Sequence, residues 1–265
     1  MTFKASLRSE FLKIKRTSII YLVLIAALIV PLVLIFDHGS PDPNHSMNGW
    51  DNFYKEGFMV FVFVFLPLFF VLASTLLMQI EVRNHAWKQV LASPQSFLHI
   101  LLSKFTVIQV LAFVFLVIFN VYMMMGAAVI DMIFGIDFLL YVEQWQELLK
   151  LNAMAYGATI GVSALSFWIA LRSKNFITPI AIGFLLWLFG PTIAFEFKWP
   201  HADKYVYALP FTIVSKRFEH DHVFHQILSI GYGVFFFGIA YLEFVLQRTS
   251  ITSYLKRKSP SAKSV

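Results

Sequence analysis

The sequence predicts an all-α, polytopic membrane protein with six transmembrane helices and both termini in the cytoplasm. Of the 265 residues, 58% are hydrophobic and 14% are charged, whereas soluble domains carry about 25% charged residues. Six apolar runs each approach the roughly 20 residues that cross a bilayer as a helix. Basic residues concentrate in alternate connections between these runs. Together these observations exclude a soluble domain and indicate a single transmembrane domain over residues 1–265.

The six spans follow from the positions of the apolar runs. They are predicted at residues 19–36, 58–80, 105–130, 152–171, 176–195 and 226–246. Within lipid these segments must be helical, because an isolated strand would leave its backbone N–H and C=O groups unpaired. The first run has no small-residue cleavage site before Asp37, so we interpret it as a retained span and not as a signal peptide.

The charge distribution predicts the orientation. Most of the 21 Lys and Arg residues fall in the N-terminal segment, in the connections after the second and fourth spans, and in the basic tail at 247–265. Because basic residues near span ends favour the cytoplasmic side, these segments are predicted to be cytoplasmic. The net charge of +6 is then explained by contact with anionic lipid headgroups, without any nucleic acid.

The segment before the first span has the pattern of an amphipathic helix over residues 1–17. Its apolar residues recur at intervals of three or four and comprise Phe3, Leu7, Phe11 and Ile14. Such a helix is suited to lying in the interface of the inner leaflet. The alternative is a positively charged topology signal whose periodicity is accidental, and both interpretations place the segment inside.

The connection between the second and third spans contains a second amphipathic pattern. Trp87 and Leu91 are four residues apart and share a helix face, Lys88 lies beside them, and Pro94 ends the helix at Ser93. This helix offers an apolar anchor with an adjacent cation to a cytoplasmic partner. The alternative is that it only lies on the membrane, with the indole at headgroup depth.

This loop resembles the first cytoplasmic loop of ABC-2 type permeases. There a glutamate (Glu81 here) ends the second span, a coupling helix carries an aromatic-basic-leucine pattern (Trp87, Lys88, Leu91), and a Ser-Pro step (Ser93, Pro94) precedes a lysine of the next span, here Lys104. The opening segment from Leu7 to Lys13 also looks like the start of that family, whose members begin with an interfacial helix. The resemblance covers nearly the whole chain.

The resemblance implies a permease subunit of the bacteriocin-immunity and multidrug-export type, in the cytoplasmic membrane of a bacterium. It further implies a separate ABC ATPase and a second permease, identical or a sister chain. None of the twelve glycines is followed by lysine, so the phosphate-binding G-x-x-x-x-G-K-[ST] motif is absent. We therefore expect no cofactor in this chain, with ATP and Mg bound by the partner ATPase.

Glu243 is the one acid within a predicted span, which makes it a candidate functional residue. It lies close to Arg248, so its carboxylate is expected to reach water at the cytoplasmic end; pairing with a neighbouring span is the alternative. Near the start of the sixth span, a dense polar group comprises Glu219, His220, Asp221, His222 and His225. His222 and His225 are three apart and could share a helix face that binds a metal, although we favour a polar collar at the membrane edge. No hydrolase signature accompanies them.

Three further features bear on helix packing. Ala153, Gly157 and Gly161 form a small-residue stripe that lets another helix approach closely. Pro67, and Pro191 after Gly190, should bend or interrupt their helices and are candidate hinges.

The function predicted by these features is export of an amphipathic or hydrophobic substrate, such as a peptide antibiotic, a lipid-like molecule or a drug. An intramembrane enzyme, for instance a hydrolase or acyltransferase, is an alternative that would need several convergent polar groups at one depth. A secondary transporter is another, and it would need ionisable residues near the membrane midplane.

Overall fold

The computed structural model describes residues 3–15, 17–37, 49–84, 96–134, 145–192, 201–215 and 221–258. These residues contain no strand, so the all-α class is confirmed there. The α-helices are α1 (Phe3–Ile14), α2 (Ile19–Asp37), α3 (Gly49–Val60), α4 (Leu66–Arg83), α5 (Phe97–Phe134), α6 (Trp145–Ala158), α7 (Ile160–Arg172), α8 (Ile177–Pro191), α9 (Leu209–Val214) and α10 (His222–Lys258).

Within the described residues, five helical segments are long and apolar enough to cross a membrane. They are Ile19–Phe36, Phe53–Arg83, Phe97–Ile133, Trp145–Arg172 and His222–Leu246. Five of the six predicted spans lie inside these segments. The remaining predicted span, 176–195, corresponds to a shorter apolar helix at Ile177–Gly190.

The second membrane segment is interrupted by a π-helical turn at Phe61–Phe65, between α3 and α4. Pro67 follows this turn and has no N–H to donate to the carbonyl four residues earlier, which belongs to Phe63. The indole Nε1 of Trp187 on α8 donates to that carbonyl at 2.8 Å. The local departure from α-helix is therefore satisfied by a neighbouring helix, as a membrane interior requires.

The fourth membrane segment breaks at Thr159, between α6 and α7. Ser229 of α10 lies in this break: its hydroxyl donates to the Ala158 carbonyl at 2.8 Å and accepts from the Gly161 amide at 3.0 Å. Gly161 permits this approach, because a Cβ there would meet the Ser229 carbonyl oxygen at 3.1 Å and the Tyr232 Cβ at 3.0 Å. This part of the small-residue stripe packs against α10, as a close-approach stripe predicts.

Aromatic side chains fill the centre of the bundle between α5 and the second membrane segment. Phe61 stacks on Phe119 with ring centroids 3.9 Å apart, and Phe69 stacks on Phe115 at 4.5 Å. All four side chains are buried. Offset stacking adds about 0.5–1.5 kcal/mol per pair beyond the burial of apolar area.

A closed polar network crosses three membrane segments. Tyr54 donates to Asn120 Oδ1 at 2.7 Å, Asn152 Nδ2 donates to the Tyr54 hydroxyl at 2.8 Å, and Asn120 Nδ2 donates to Asn152 Oδ1 at 2.8 Å. Each side chain thus has partners on the other two segments. Such a network fixes the relative positions of the helices, because an unsatisfied amide in this environment is costly.

Large apolar side chains remain exposed along the outer faces of α2, α5, α8 and α10. Examples are Ile25, Phe113, Leu185, Phe235 and Leu242, each more than half exposed. A soluble monomer rarely exposes contiguous apolar surface on this scale. These faces are suited to lipid, and the chain is a multi-pass membrane protein.

Several helix ends meet at one end of the bundle, which we call the basic end. The Phe97 ring contacts Phe244 at a centroid distance of 5.4 Å, and Arg172 lies 3.6 Å from Glu243. A neighbouring cleft brings together Lys15, Arg83 and Phe176. The N-terminal helix and the last membrane segment therefore approach the same end.

Candidate functional site

The candidate site begins with the sequence of α1. Ser6, Glu10 and Ile14 recur every four residues, which places them on one face of the helix, and all three are buried. That face packs against the start of α5, where the Ser6 and Ser103 hydroxyls lie 2.9 Å apart. The helix that we expected on the inner leaflet is thus attached to the bundle through a polar face.

Glu10 belongs to an ionic cluster with Lys13, Glu81 and Lys104. The Lys104 ammonium lies 2.8 Å from Glu10 Oε2 and 2.6 Å from Glu81 Oε1. The Lys13 ammonium lies 2.7 Å from Glu10 Oε1 and 2.6 Å from Glu81 Oε1. Two carboxylates and two ammonium groups therefore alternate, so that each charge contacts two opposite charges.

Burial makes this cluster costly to disrupt. The Lys104 side chain is 0% exposed and the Glu81 side chain 1%. Charges removed from water are stable only when paired, and removing one partner of a buried pair costs about 3–5 kcal/mol. The cluster therefore favours one arrangement of α1, α4 and α5 over arrangements that separate the charges.

Lys13 stands at the more accessible edge of the cluster, with 28% of its side chain exposed. Burial lowers the pKa of its ammonium, but the hydrogen bonds and charges of Glu10 and Glu81 outweigh this and hold the pKa above 10.5. Lys13 consequently stays charged throughout the neutral range.

The cluster has a defined relation to the loop that carries the ABC-2 resemblance. Glu81 lies in the last turn of α4 and Lys104 in the first turns of α5, so the two residues flank the connection at 84–96. Their 2.6 Å contact joins the two helices that flank that connection, α4 and α5. Lys13 and Glu10 then join both helices to α1.

The remaining residues predicted for partner coupling lie outside the described residues. They are Trp87, Lys88, Leu91, Ser93 and Pro94. Of that set, the structure positions Glu81 alone, and it does so as a member of the ionic cluster.

The apolar residues predicted for the interfacial helix share one side of α1 but differ in burial. Ile14 is buried, Phe3 and Leu7 are partly buried, and Phe11 is 38% exposed. The Phe3 ring also contacts His99 of α5 at 6.1 Å. Part of the apolar pattern is therefore used against the bundle, and Phe11 remains available to a membrane surface.

Glu243 lies beside α7. Its carboxylate accepts a hydrogen bond from Trp168 Nε1 at 3.1 Å and lies 3.6 Å from the Arg172 guanidinium. One third of the side chain remains exposed. Glu243 is therefore paired with a neighbouring helix while part of its side chain is exposed.

The candidate hinge residues differ in their surroundings. Pro67 lies two residues after the end of the π-helical turn, whereas Gly190 and Pro191 end α8. A Cβ on Gly190 would lie 3.6 Å from the Tyr205 ring, an ordinary contact. Pro67 is thus the candidate hinge residue that lies next to an irregular turn within a helical segment.

The polar group predicted near the start of α10 is described only in part. His225 Nε2 lies 3.3 Å from Asp203 Oδ2, whereas Glu219 and His220 lie outside the described residues. Across the described part of the chain, no three His, Asp or Glu side chains are arranged to hold a metal ion.

Comparison with protein families bears on the loop and its ionic cluster. The family described as ABC-2 family transporter protein has a model that matches residues 6–190. The chain belongs to the ABC-2 transporter family. The match begins at Ser6 of α1 and ends at Gly190 of α8, so it includes all four members of the ionic cluster. No curated protein and no solved structure matches the chain.

Membership in the ABC-2 family confirms the resemblance seen in the loop and makes the chain a transport membrane component. It also fits the absence of a nucleotide-binding motif from the sequence. Sequence reasoning identified Glu81 and the lysine at position 104 as parts of the family pattern, but it did not predict their contact. Glu10 lay within the opening segment that resembles the family, but it was assigned no role of its own. The available signal was that Glu10 is the one acid in the first 36 residues and lies four residues after Ser6 and four before Ile14.

Proposed function

We propose that this ABC-2 protein is the membrane-spanning permease subunit of an ABC exporter that is driven by a separate ATPase subunit. In this proposal the basic end faces the cytoplasm, in agreement with the excess of Lys and Arg near span ends. The transporter contains two permease subunits, either two copies of this chain or this chain and a sister, in the cytoplasmic membrane of a bacterium. ATP and Mg are bound by the ATPase.

The observation that carries the proposal is the ionic cluster at the base of the connection 84–96. Glu81 and Lys104 join the two helices that flank that connection, and Glu10 and Lys13 attach both helices to α1. A force applied to the connection would reach α1, α4 and α5 together. An ATPase that binds Trp87, Lys88 and Leu91 would thereby move three helices as one unit.

The proposed substrate is amphipathic or hydrophobic, and it leaves from the cytoplasm or the inner leaflet. The described spans carry few charges, and their polar side chains are largely bonded to one another, as in the network of Tyr54, Asn120 and Asn152. A strongly charged substrate would find few partners there. A peptide antibiotic, a lipid-like molecule or a drug suits such walls.

Two other functions remain for experiment to separate from export. An intramembrane hydrolase or acyltransferase would need an activated nucleophile beside a base. A secondary transporter would need ionisable groups near the midplane, whereas the charged cluster described above lies at the basic end.

Co-purification with an ABC ATPase tests the proposal. The chain, expressed with the ABC ATPase subunits of its source organism, should recover one of them, and that complex should hydrolyse ATP. Transport by the chain alone along an ion gradient would contradict the proposal. So would hydrolytic or acyl-transfer activity of the purified chain.

The double variant Trp87→Ala with Leu91→Ala tests the connection itself. We expect it to insert into the membrane normally but to lose the ATPase on purification, because the apolar anchor is removed. Trp145→Ala with Leu149→Ala is the matched control, since both residues are exposed on α6 with the same spacing. Normal ATPase recovery with the first variant would show that the connection serves another role.

A further inference from the structure

A cleft of about 600 Å³ opens between α7 and α8 at the basic end of the bundle. Its volume lies within the range of small-molecule sites, roughly 300–1,000 Å³. One part of its wall is apolar and includes Leu165, Ile182 and Leu186. Its rim is polar and includes Arg172, Lys174 and Asn175.

The length of the cleft suits one leaflet of a bilayer. From Arg172 to Leu165 the wall follows seven residues of α7, which is roughly 10 Å at 1.5 Å per residue. From Thr178 to Leu186 the opposite wall follows eight residues of α8, or roughly 12 Å. Half of the hydrocarbon core is about 15 Å thick. A lipid with its headgroup at the rim would therefore place most of one acyl chain along the apolar wall.

The rim carries more positive than negative charge. The Arg172 side chain is 66% exposed and lies 3.6 Å from Glu243, longer than the 2.7–2.9 Å of a strong charge-assisted hydrogen bond. The other carboxylate oxygen of Glu243 accepts a hydrogen bond from Trp168 Nε1. The Lys174 side chain is exposed. Arg172 and Lys174 thus oppose one carboxylate.

Polar donors complete the rim. The Asn175 side-chain oxygen accepts a hydrogen bond from the Thr178 amide at 2.9 Å, so that its NH₂ group retains donor capacity. Thr178, which carries a hydroxyl group, also lines the cleft. Two cations with an amide donor and a hydroxyl above an apolar wall match a phosphate headgroup above an acyl chain.

We propose that this cleft is a binding site for one anionic phospholipid of the leaflet at the basic end. The phosphate lies between Arg172 and Lys174, and one acyl chain lies against Ile182 and Leu186. The lipid fills the space between α7 and α8 and supports their antiparallel packing. This site is separate from the ionic cluster and does not depend on an ATPase.

Native mass spectrometry of the purified full-length chain tests the proposal. The protein is equilibrated with equal amounts of phosphatidylglycerol and phosphatidylethanolamine that have identical acyl chains. We expect the wild type to retain one phosphatidylglycerol in preference to phosphatidylethanolamine. The double variant Arg172→Gln with Lys174→Gln should lower this retention about tenfold, the effect of about 1.4 kcal/mol.

A charge-matched control and a shape variant make the result specific. Lys15→Gln with Arg83→Gln removes two exposed cations from the same end but outside this cleft, and it should leave retention unchanged. Ile182→Trp keeps both cations and fills the apolar wall, and it should lose the lipid as the rim variant does. Because Ile182 is 40% exposed, this variant should fold, so it carries the test if the rim variant aggregates.

Three results would overturn the proposal. Equal retention of both lipids by the wild type would show that the headgroup charge is not recognised. Equal loss in the control would show a general attraction of anionic lipid to this end. Retention of phosphatidylglycerol by Ile182→Trp would show that the cleft itself holds no lipid. None of these measurements needs an ATPase, so failure here is distinguishable from failure of the proposed export function.

Discussion

The indole N–H of Trp187 donates to the backbone carbonyl of Phe63 across 2.8 Å, at the position where Pro67 removes the usual helical donor. An aromatic side chain on α8 thereby satisfies an irregular turn in another membrane segment. The contact links α8 to the centre of the bundle, where Phe61 stacks on Phe119.

We expect Trp187→Phe to destabilise the fold by about 0.6–1.7 kcal/mol, the range of hydrogen bonds between membrane helices. In the background of Pro67→Ala the same substitution should cost less, because the alanine restores an N–H that can bond the Phe63 carbonyl. Unfolding of the four proteins in detergent, measured as a double-mutant cycle, provides the test. Equal costs in both backgrounds would show that the indole contributes packing alone.

Lys104 is the most deeply buried charge of the ionic cluster. Lys104→Met should destabilise the protein by about 3–5 kcal/mol, because Glu10 and Glu81 lose a shared counter-ion inside the bundle. Lys15→Met removes an exposed lysine from the same end and should change stability by less than about 0.5 kcal/mol. Midpoints of thermal unfolding would compare the two, and similar values would argue against a structural role for the cluster.

The two acids Glu81 and Glu243 should respond differently to the same substitution. Glu81→Gln removes the charge that contacts both cluster lysines and should lower stability by about 3 kcal/mol or more. Glu243→Gln should cost less than about 1 kcal/mol, because its ion pair is partly exposed and a glutamine oxygen still accepts from Trp168. Unfolding midpoints and the yield of folded protein measure the difference. A larger loss at Glu243 would assign that acid a role beyond its pairing with α7.

The glycines Gly161 and Gly231 form another matched pair. Gly161→Ala should destabilise the protein, because its methyl group would meet the Ser229 carbonyl oxygen at 3.1 Å and the Tyr232 Cβ at 3.0 Å. A Cβ added at Gly231 would have no atom within 4 Å. Gly231→Ala should therefore stabilise α10 by up to about 1 kcal/mol through helix propensity. Opposite shifts of the thermal midpoint would verify the close contact of α7 with α10. Stabilisation by both substitutions would refute it.

The charge state of Lys13 predicts that its contribution to stability does not change with pH near neutrality. Its pKa in the folded state is raised above the ordinary value by Glu10 and Glu81. The stabilising contribution of Lys13 is therefore fully present below the unfolded pKa and is lost as the pH rises through the folded pKa. The difference in unfolding midpoint between the wild type and Lys13→Gln should therefore be constant from neutral to mildly alkaline pH. A difference that vanished within that interval would show that the ammonium is not held by Glu10 and Glu81.

The sequence alone determined the membrane class, the approximate positions of the spans and the family. These properties depend on local composition: a run such as 105–130 is apolar over its whole length wherever its neighbours lie. The loop pattern from Glu81 to Lys104 was also readable, because it is contiguous. By contrast, the interpretation of α1 from the sequence rested on its apolar face and assigned no role to Glu10.

Tertiary structure alone decided which polar groups meet. Glu10 and Lys104 are 94 residues apart, and Trp187 and Phe63 are 124 apart. No sequence period encodes such distances. Within a membrane-embedded bundle a buried charge or a freed carbonyl must find its partner on another helix, since little water is available to replace it. The packing of the helices therefore determines the partner of each buried polar group, and this packing could not be predicted from the sequence.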